Sequence, residues 1–275
     1  MKHDTFEKYP AGSMELPVQA LLTTWDCLPD YRGELVLVGG LAVRYLTKKP
    51  TEGLSGAVTL DVDFGVNIVA SGNGYPGIRD NLSAHGFKWG NGRFTRKFAT
   101  LDLHIDLLTD DDKSDQGSVV VDDGLSVGIF PGISRALACH RSVTISGKSL
   151  LGNLLTEKIR VAEVGPMLVL KLNAFGGPSG RKAPKDAHDI LYLAMNYLDG
   201  TAAAVEGFQA ERRIGNRGIN SALKCLADFF SNSDAQGSMA CAAFQLNNQH
   251  EEPQNEDASQ RIRQQCVTLA KALRV

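Results

Sequence analysis

The sequence predicts a mixed α/β chain, α+β in stricter usage, and three observations carry that expectation. Short apolar, β-branched runs end at glycine or proline; two segments alternate apolar residues with carboxylates; and helical periodicity dominates the C-terminal part. The expected architecture is a mixed, twisted sheet flanked by helices, with a helical C-terminal part closing one side of a cleft. A division into residues 1–164 and 165–275 follows from where the composition changes.

The elements follow in order. LPVQALLTTWDCL (16–28) has apolar residues at mixed three-to-four spacing and reads as a helix, ended by Pro-Asp and Arg-Gly. ELVLV (34–38) is a short apolar strand that runs into Gly39-Gly40. LAVRYLTKK then resumes helical character, with basic residues in its last turn. Pro50 and TEGLSG break the chain before AVTLDVDFGV, in which Leu60, Val62 and Phe64 alternate with Asp61, Asp63 and Gly65. Residues 75–85 read as a helix, and FKWGNGRFTRKF as a hairpin turning at Asn91-Gly92. ATLDLHIDLLT puts Asp102, His104 and Asp106 on one face of a further strand.

SVTISGK and EKIRVAEV read as strands, and Pro166–Phe175 and Pro184–Tyr197 as helices with proline near the first turn, separated by GGPSGRKA. After about Gly200 the chain is Ala-rich and helical, broken by a polar stretch at 247–260, and it ends in the helical QRIRQQCVTLAKALRV. No internal repeat is visible.

Composition excludes several classes. The chain of 275 residues has 43% hydrophobic and 22% charged residues, which is globular rather than disordered. With 29 Lys+Arg against 31 Asp+Glu there is no global basic field, so a nucleic acid would need a local patch. The five cysteines are odd in number, scattered and never in CxxC pairs, which reads as reduced thiols rather than a disulfide framework or zinc site. No apolar run approaches the roughly 20 residues of a membrane helix. The expected compartment is the cytoplasm.

The chemically informative feature is the order Gly39-Gly40, Asp61-Val62-Asp63, Asp106. Carboxylates at i and i+2 on a strand project to one face and can share a hard divalent cation, magnesium by preference. A third carboxylate from a neighbouring strand would complete a site able to clamp the oxygens of an in-line phosphoryl displacement. Glycine after a buried strand lets backbone approach a ligand, and the helix that follows offers amides to an anion.

In these residues the sequence resembles the nucleotidyltransferase superfamily that includes DNA polymerase beta: VLVGGLAVRYL, LDVDFGV and HIDLL fit its motifs in order. It is most similar to the AbiE-type abortive-infection toxins, which add a lysine helix and a Lys-Asp-x-x-Asp segment, here VLKLNAF with Lys171 and RKAPKDAHDILYL with Lys185, Asp186 and Asp189. The likeness covers roughly residues 34–198. Two departures mark it: a longer insert between Gly39-Gly40 and Asp61, and Leu41 where a Ser or Thr often follows.

The resemblance implies Mg2+- or Mn2+-dependent transfer of an NMP from an NTP to a hydroxyl acceptor. Asp61, Asp63 and Asp106 would hold metal, and Gly39, Gly40 and Lys171 would position the triphosphate. Lys185, Asp186 and Asp189 would organise the nucleotide or support the metal site. It also implies an RNA or tRNA acceptor, a role in toxin–antitoxin or phage defence, and a cognate antitoxin. Two alternatives stay open: a small-molecule transferase of the aminoglycoside-modifying kind, and a nucleotide-binding or interaction module without turnover. His104 and His188 read as satisfied histidines, and Asp110-Asp111-Asp112 as a solvated turn. Arg93, Arg96 and Lys97, near Trp89 and Phe94, read as an ordinary hairpin with the makings of an RNA-facing surface.

Overall fold

The computed structural model describes residues 3–9, 14–48, 56–67, 77–98, 101–122 and 124–275. It is a mixed α/β structure with an open mixed sheet flanked by helices. The chain forms two compact units. A sheet unit takes in Ala11–Tyr45 and Thr59–Glu163; a helical unit takes in Val164–Val275 with the described residues of Met1–Pro10 and Leu46–Val58. Pro50, most of TEGLSG, the first two residues of the expected 75–85 helix, and Ala99-Thr100 lie outside the described residues.

In the sheet unit, α1 (Glu15–Cys27) precedes β1 (Leu35–Val38), which passes directly into α2 (Gly39–Leu46). Then come β2 (Asp61–Val66), α3 (Ile78–Ala84), the hairpin β3 (Lys88–Gly90) and β4 (Arg93–Lys97), and β5 (Asp102–Thr109). A second hairpin, β6 (Ser118–Asp122) and β7 (Leu125–Ile129), leads to α4 (Ile133–Ala138) and to the long antiparallel pair β8 (His140–Lys148) and β9 (Leu154–Ala162). The sheet order is β3-β4-β5-β2-β1-β9-β8, with β7 joining β5 and β6. β2 and β5 are parallel, whereas β1 with β2 and β4 with β5 are antiparallel.

Alternation explains the layering. Val62, Phe64 and Val66 are buried on one face of β2, where Trp25 of α1 stacks over Phe64 with ring centroids 6.3 Å apart. Each such large apolar side chain contributes about 1.5–3 kcal/mol when fully buried. The opposite face begins with Asp61 and Asp63 and ends at Gly65, where a side chain would strike Val36 at 2.9 Å and Ile133 of α4 at 3.0 Å. That glycine lets α4 lie close on the sheet. The hairpin turns where the sequence places it, with Asn91 at φ 51° and Gly92 at φ 75°, the positive values that a two-residue turn demands.

In the helical unit, α5 (Val164–Gly176) is buried around almost its whole circumference and packs with α6 (Pro184–Met195), α7 (Thr201–Ile214) and α8 (Ile219–Phe229). α9 (Gln236–Gln245) and α10 (Glu256–Arg274) complete the set among the described residues. Gly165 meets the carbonyl of Gly207, so α5 and α7 approach backbone to backbone. Tyr192 donates to the carbonyl of Lys48, and the Lys48 amide donates to that of Asn196, which ties Lys48 to the end of α6. Among the described residues no helix is long and apolar enough to cross a membrane, and none of the five cysteines is in a disulfide.

Candidate active site

The site is built by register. Val38 pairs with Asp63 across β1 and β2, Asp63 with Asp106 and Asp61 with His104 across β2 and β5, and His104 with Thr95 across β5 and β4. Asp61, Asp63, His104 and Asp106 therefore occupy one face as a two-by-two block, with strands about 4.8 Å apart. Alternation alone could place each pair on a face; the parallel pairing of β2 with β5 brings the pairs together.

Gly39 is required twice over. Its φ of +72° lies in the left-handed region, and a Cβ there would come within 1.8 Å of the Asp63 carboxylate. The chain thus turns from β1 into α2 directly against Asp63. A Cβ on Gly40 would meet the Thr59 side chain at 2.6 Å. Thr59 is buried, and its hydroxyl accepts from the Asp61 amide at 3.2 Å, fixing the start of β2.

Arg93, the first residue of β4, lies over this face. Its Nε donates to Asp106 Oδ1 at 2.9 Å and its Nη2 to Asp106 Oδ2 at 2.5 Å, while Nη2 stands 3.6 Å from Asp61 Oδ1. Burial raises the Asp106 carboxyl above its ordinary range, with Arg93 pulling against it and Asp61 adding to it. Burial works against the charge on Arg93, and the three carboxylates outweigh it. Burial and then Arg93 lower His104, whose Nδ1 lies 3.0 Å from the Thr95 hydroxyl. The block is acidic: three carboxylates face one guanidinium and an imidazole disfavoured as a cation.

The oxygen donors are of the type that a hard divalent cation takes. Asp61 Oδ1 is buried without a hydrogen bond. Among the described residues, however, no three His, Cys, Asp or Glu side chains converge closely enough to hold an ion. At this face both Asp106 oxygens accept from Arg93. Asp61 and Asp63 fit a cation in donor chemistry.

The second group of expected residues lies wholly in the helical unit. Lys171 of α5 and Lys185 of α6 both donate to Asp189 Oδ2, at 2.6 and 2.7 Å, and Asp186 lies 4.0 Å from Lys171 while accepting from Arg181 at 3.3 Å. All but Arg181 are buried. The two ammonium groups hold the Asp189 carboxyl far below the ordinary carboxylate range against the opposing effect of burial, and its Oδ1 has no hydrogen bond. Lys171 is thus neither at a rim nor snorkelling to water. His188 is fully buried and stacked between Tyr192 and Phe244.

The hairpin cations do not form one surface. Arg93 faces the carboxylates, Arg96 donates to the carbonyl of His85 and covers Phe98, and Phe94 is fully buried. Asp110, expected in a solvated turn, instead accepts from Gly132 N, Ser134 N and Ser134 Oγ at the start of α4. Arg93 and Thr59 are the site residues that sequence reading missed. The turn at Asn91-Gly92 fixes Arg93 opposite Gly90 on β3, but its approach to Asp106 depends on the separate pairing of β4 with β5, which the hairpin does not set.

No family model matches this chain, and no curated protein matches it.

Proposed function

We propose that the protein is a metal-dependent nucleotidyltransferase that moves an NMP from an NTP to a hydroxyl acceptor. The observation that carries the reading is the in-register block of Asp61, Asp63 and Asp106 against the glycine turn at Gly39. Asp61 and Asp63 would hold Mg2+ or Mn2+. When bound, such an ion neutralises phosphate charge and lowers the pKa of a coordinated oxygen. Gly39 and Gly40 bring bare backbone and the start of α2 to the same face, where amides can receive phosphate oxygens. Asp106, whose carboxylate burial makes more basic than usual with Arg93 opposing, suits a group that takes the acceptor hydroxyl's proton. The bond from acceptor oxygen to the α-phosphorus forms, the α–β bridge breaks, and pyrophosphate leaves. Lys171, Lys185, Asp186 and Asp189 belong to this proposal as nucleotide-organising residues, on the strength of the resemblance; in the fold they satisfy one another's charges.

An RNA or tRNA end is the acceptor class the resemblance favours, with an antitoxin as partner, while an acidic face suits a cationic small molecule. The Arg93 pair on Asp106 favours a second reading, a module that binds nucleotide without turnover. Pyrophosphate release from each of the four NTPs with Mg2+ or Mn2+ separates these readings. Release abolished by Asp61→Ala/Asp63→Ala supports the enzyme; nucleotide binding with no release supports the module.

A further inference from the structure

We propose that Arg93 is a tethered counter-cation that competes with a divalent ion for Asp106, so that the ion binds this face only as Arg93 swings away. The inference rests on the metal-binding half of the proposed function. Three carboxylates on adjacent strands repel one another, and they are buried enough for water to screen them poorly: the side chains of Asp61 and Asp106 are 14% and 25% exposed. Arg93 answers that repulsion in the way an ion would. It takes both oxygens of Asp106 and leaves Nη2 3.6 Å from Asp61 Oδ1, the buried oxygen with no hydrogen bond. The Nη2 nitrogen occupies the position of a cation bridging Asp61 and Asp106.

Two properties make this a competition rather than a permanent ion pair. A guanidinium does not deprotonate in proteins, so Arg93 cannot give up Asp106 by neutralising and must leave bodily. It also reaches solvent: its side chain is 29% exposed, and a Cβ on Gly90, its cross-strand partner, would meet nothing within 4 Å. Every other charged or titratable group named at the face, Asp61 and Asp63 of β2 and His104 and Asp106 of β5, is joined to the sheet backbone by a shorter side chain. Arg93 is the member with the reach to move. While it is docked, the ion-binding form is a minor population, and apparent affinity falls by the fraction competent.

The test is Mn2+ binding to the intact chain by calorimetry, comparing wild type, Asp61→Asn, Arg93→Gln, Arg93→Lys and Asp61→Asn/Arg93→Gln, with circular dichroism melts to confirm folding. Arg93→Gln should bind Mn2+ about tenfold more tightly than wild type, as expected where docking leaves roughly a tenth of the chain competent. The Asp61→Asn double variant should lose that gain. Arg93→Lys, which cannot grip both oxygens, should bind a few-fold more tightly, and it carries the test if the glutamine variant fails to fold. Equal or weaker binding by these variants, with wild-type binding that depends on Asp61, overturns the competition and leaves the metal site standing. No binding by any chain at millimolar Mn2+ overturns both. A clear affinity gain with no transfer activity would support the competition while removing the proposed reaction.

Discussion

Asp189→Asn should be the most damaging isosteric change in the helical unit. Asp189 Oδ2 is the shared acceptor of Lys171 at 2.6 Å and Lys185 at 2.7 Å, and all three side chains are at most 6% exposed. Asparagine keeps the volume, so no cavity opens and the cost is electrostatic. Breaking a buried pair by removing one partner costs about 3–5 kcal/mol, because a charge is left in the interior uncompensated. Here two ammonium groups lose their shared carboxylate, while Asp186 stays 4.0 Å from Lys171. A loss of about 3 kcal/mol is a reasonable lower bound, and at roughly 2–4 °C per kcal/mol it lowers the midpoint by about 6–12 °C. Thermal melts at pH 7 read by far-ultraviolet circular dichroism would measure it, with Lys185→Met added to Asp189→Asn expected to restore part of the loss. The sign with pH follows from Asp189 being held below its ordinary range. Its stabilisation is complete above the unfolded-state value of about 3.9 and fades as pH falls below it. The gap between wild type and variant should therefore be widest near neutrality and shrink below about pH 4. A variant melting within about 2 °C of wild type at pH 7 would refute the reasoning.

Two more outcomes follow from local geometry. Gly39→Ala puts a Cβ within 1.8 Å of the Asp63 carboxylate at a φ of +72°, so it should displace Asp63 and cut pyrophosphate release about 100-fold while the chain stays folded; a near-wild-type rate would contradict the close approach. Asp110→Ala removes the acceptor for Gly132 N, Ser134 N and Ser134 Oγ and should cost about 1 kcal/mol, read as a lower urea midpoint at unchanged slope. No change in midpoint would show that α4 needs no such cap.

Much of the sheet was legible because its signals are local. Asn91-Gly92 demands positive φ at two residues, and alternation in LDVDF and LHIDLL assigns faces without knowledge of any partner strand. β6 was missed for the converse reason: in SVVVD the apolar residues do not alternate, and Val120 is 72% exposed, so no buried face announces that strand; in β7 the alternation of Leu125, Val127 and Ile129 was there to be read and was passed over. Arg93 was placed on a surface because its partner is cross-strand, and only the pairing of β4 with β5 reveals that it meets Asp106. Lys171 was read as positioning a triphosphate and Lys185 as organising the nucleotide or supporting the metal site; the i,i+4 spacing of Lys185 and Asp189 is visible in the sequence, but the pairing of Lys171 with Asp189 across two helices is not, and it is what lets Lys171 be buried. Leu46 and Lys48 join the helical unit through backbone bonds with Leu198 and Asn196, about 150 positions away, which no local pattern announces.

Nucleotidyl transfer is decided by label transfer from α-labelled NTPs, with Mg2+ or Mn2+, to total RNA, protein and a small-molecule panel, with Asp63→Ala beside the wild type. The account requires label from at least one NTP to appear in one acceptor fraction with wild type and to vanish with Asp63→Ala, whose fold should be kept or stabilised by relief of carboxylate repulsion. Transfer that persists undiminished in Asp63→Ala, or no transfer to any fraction by a chain that still binds nucleotide, would contradict it.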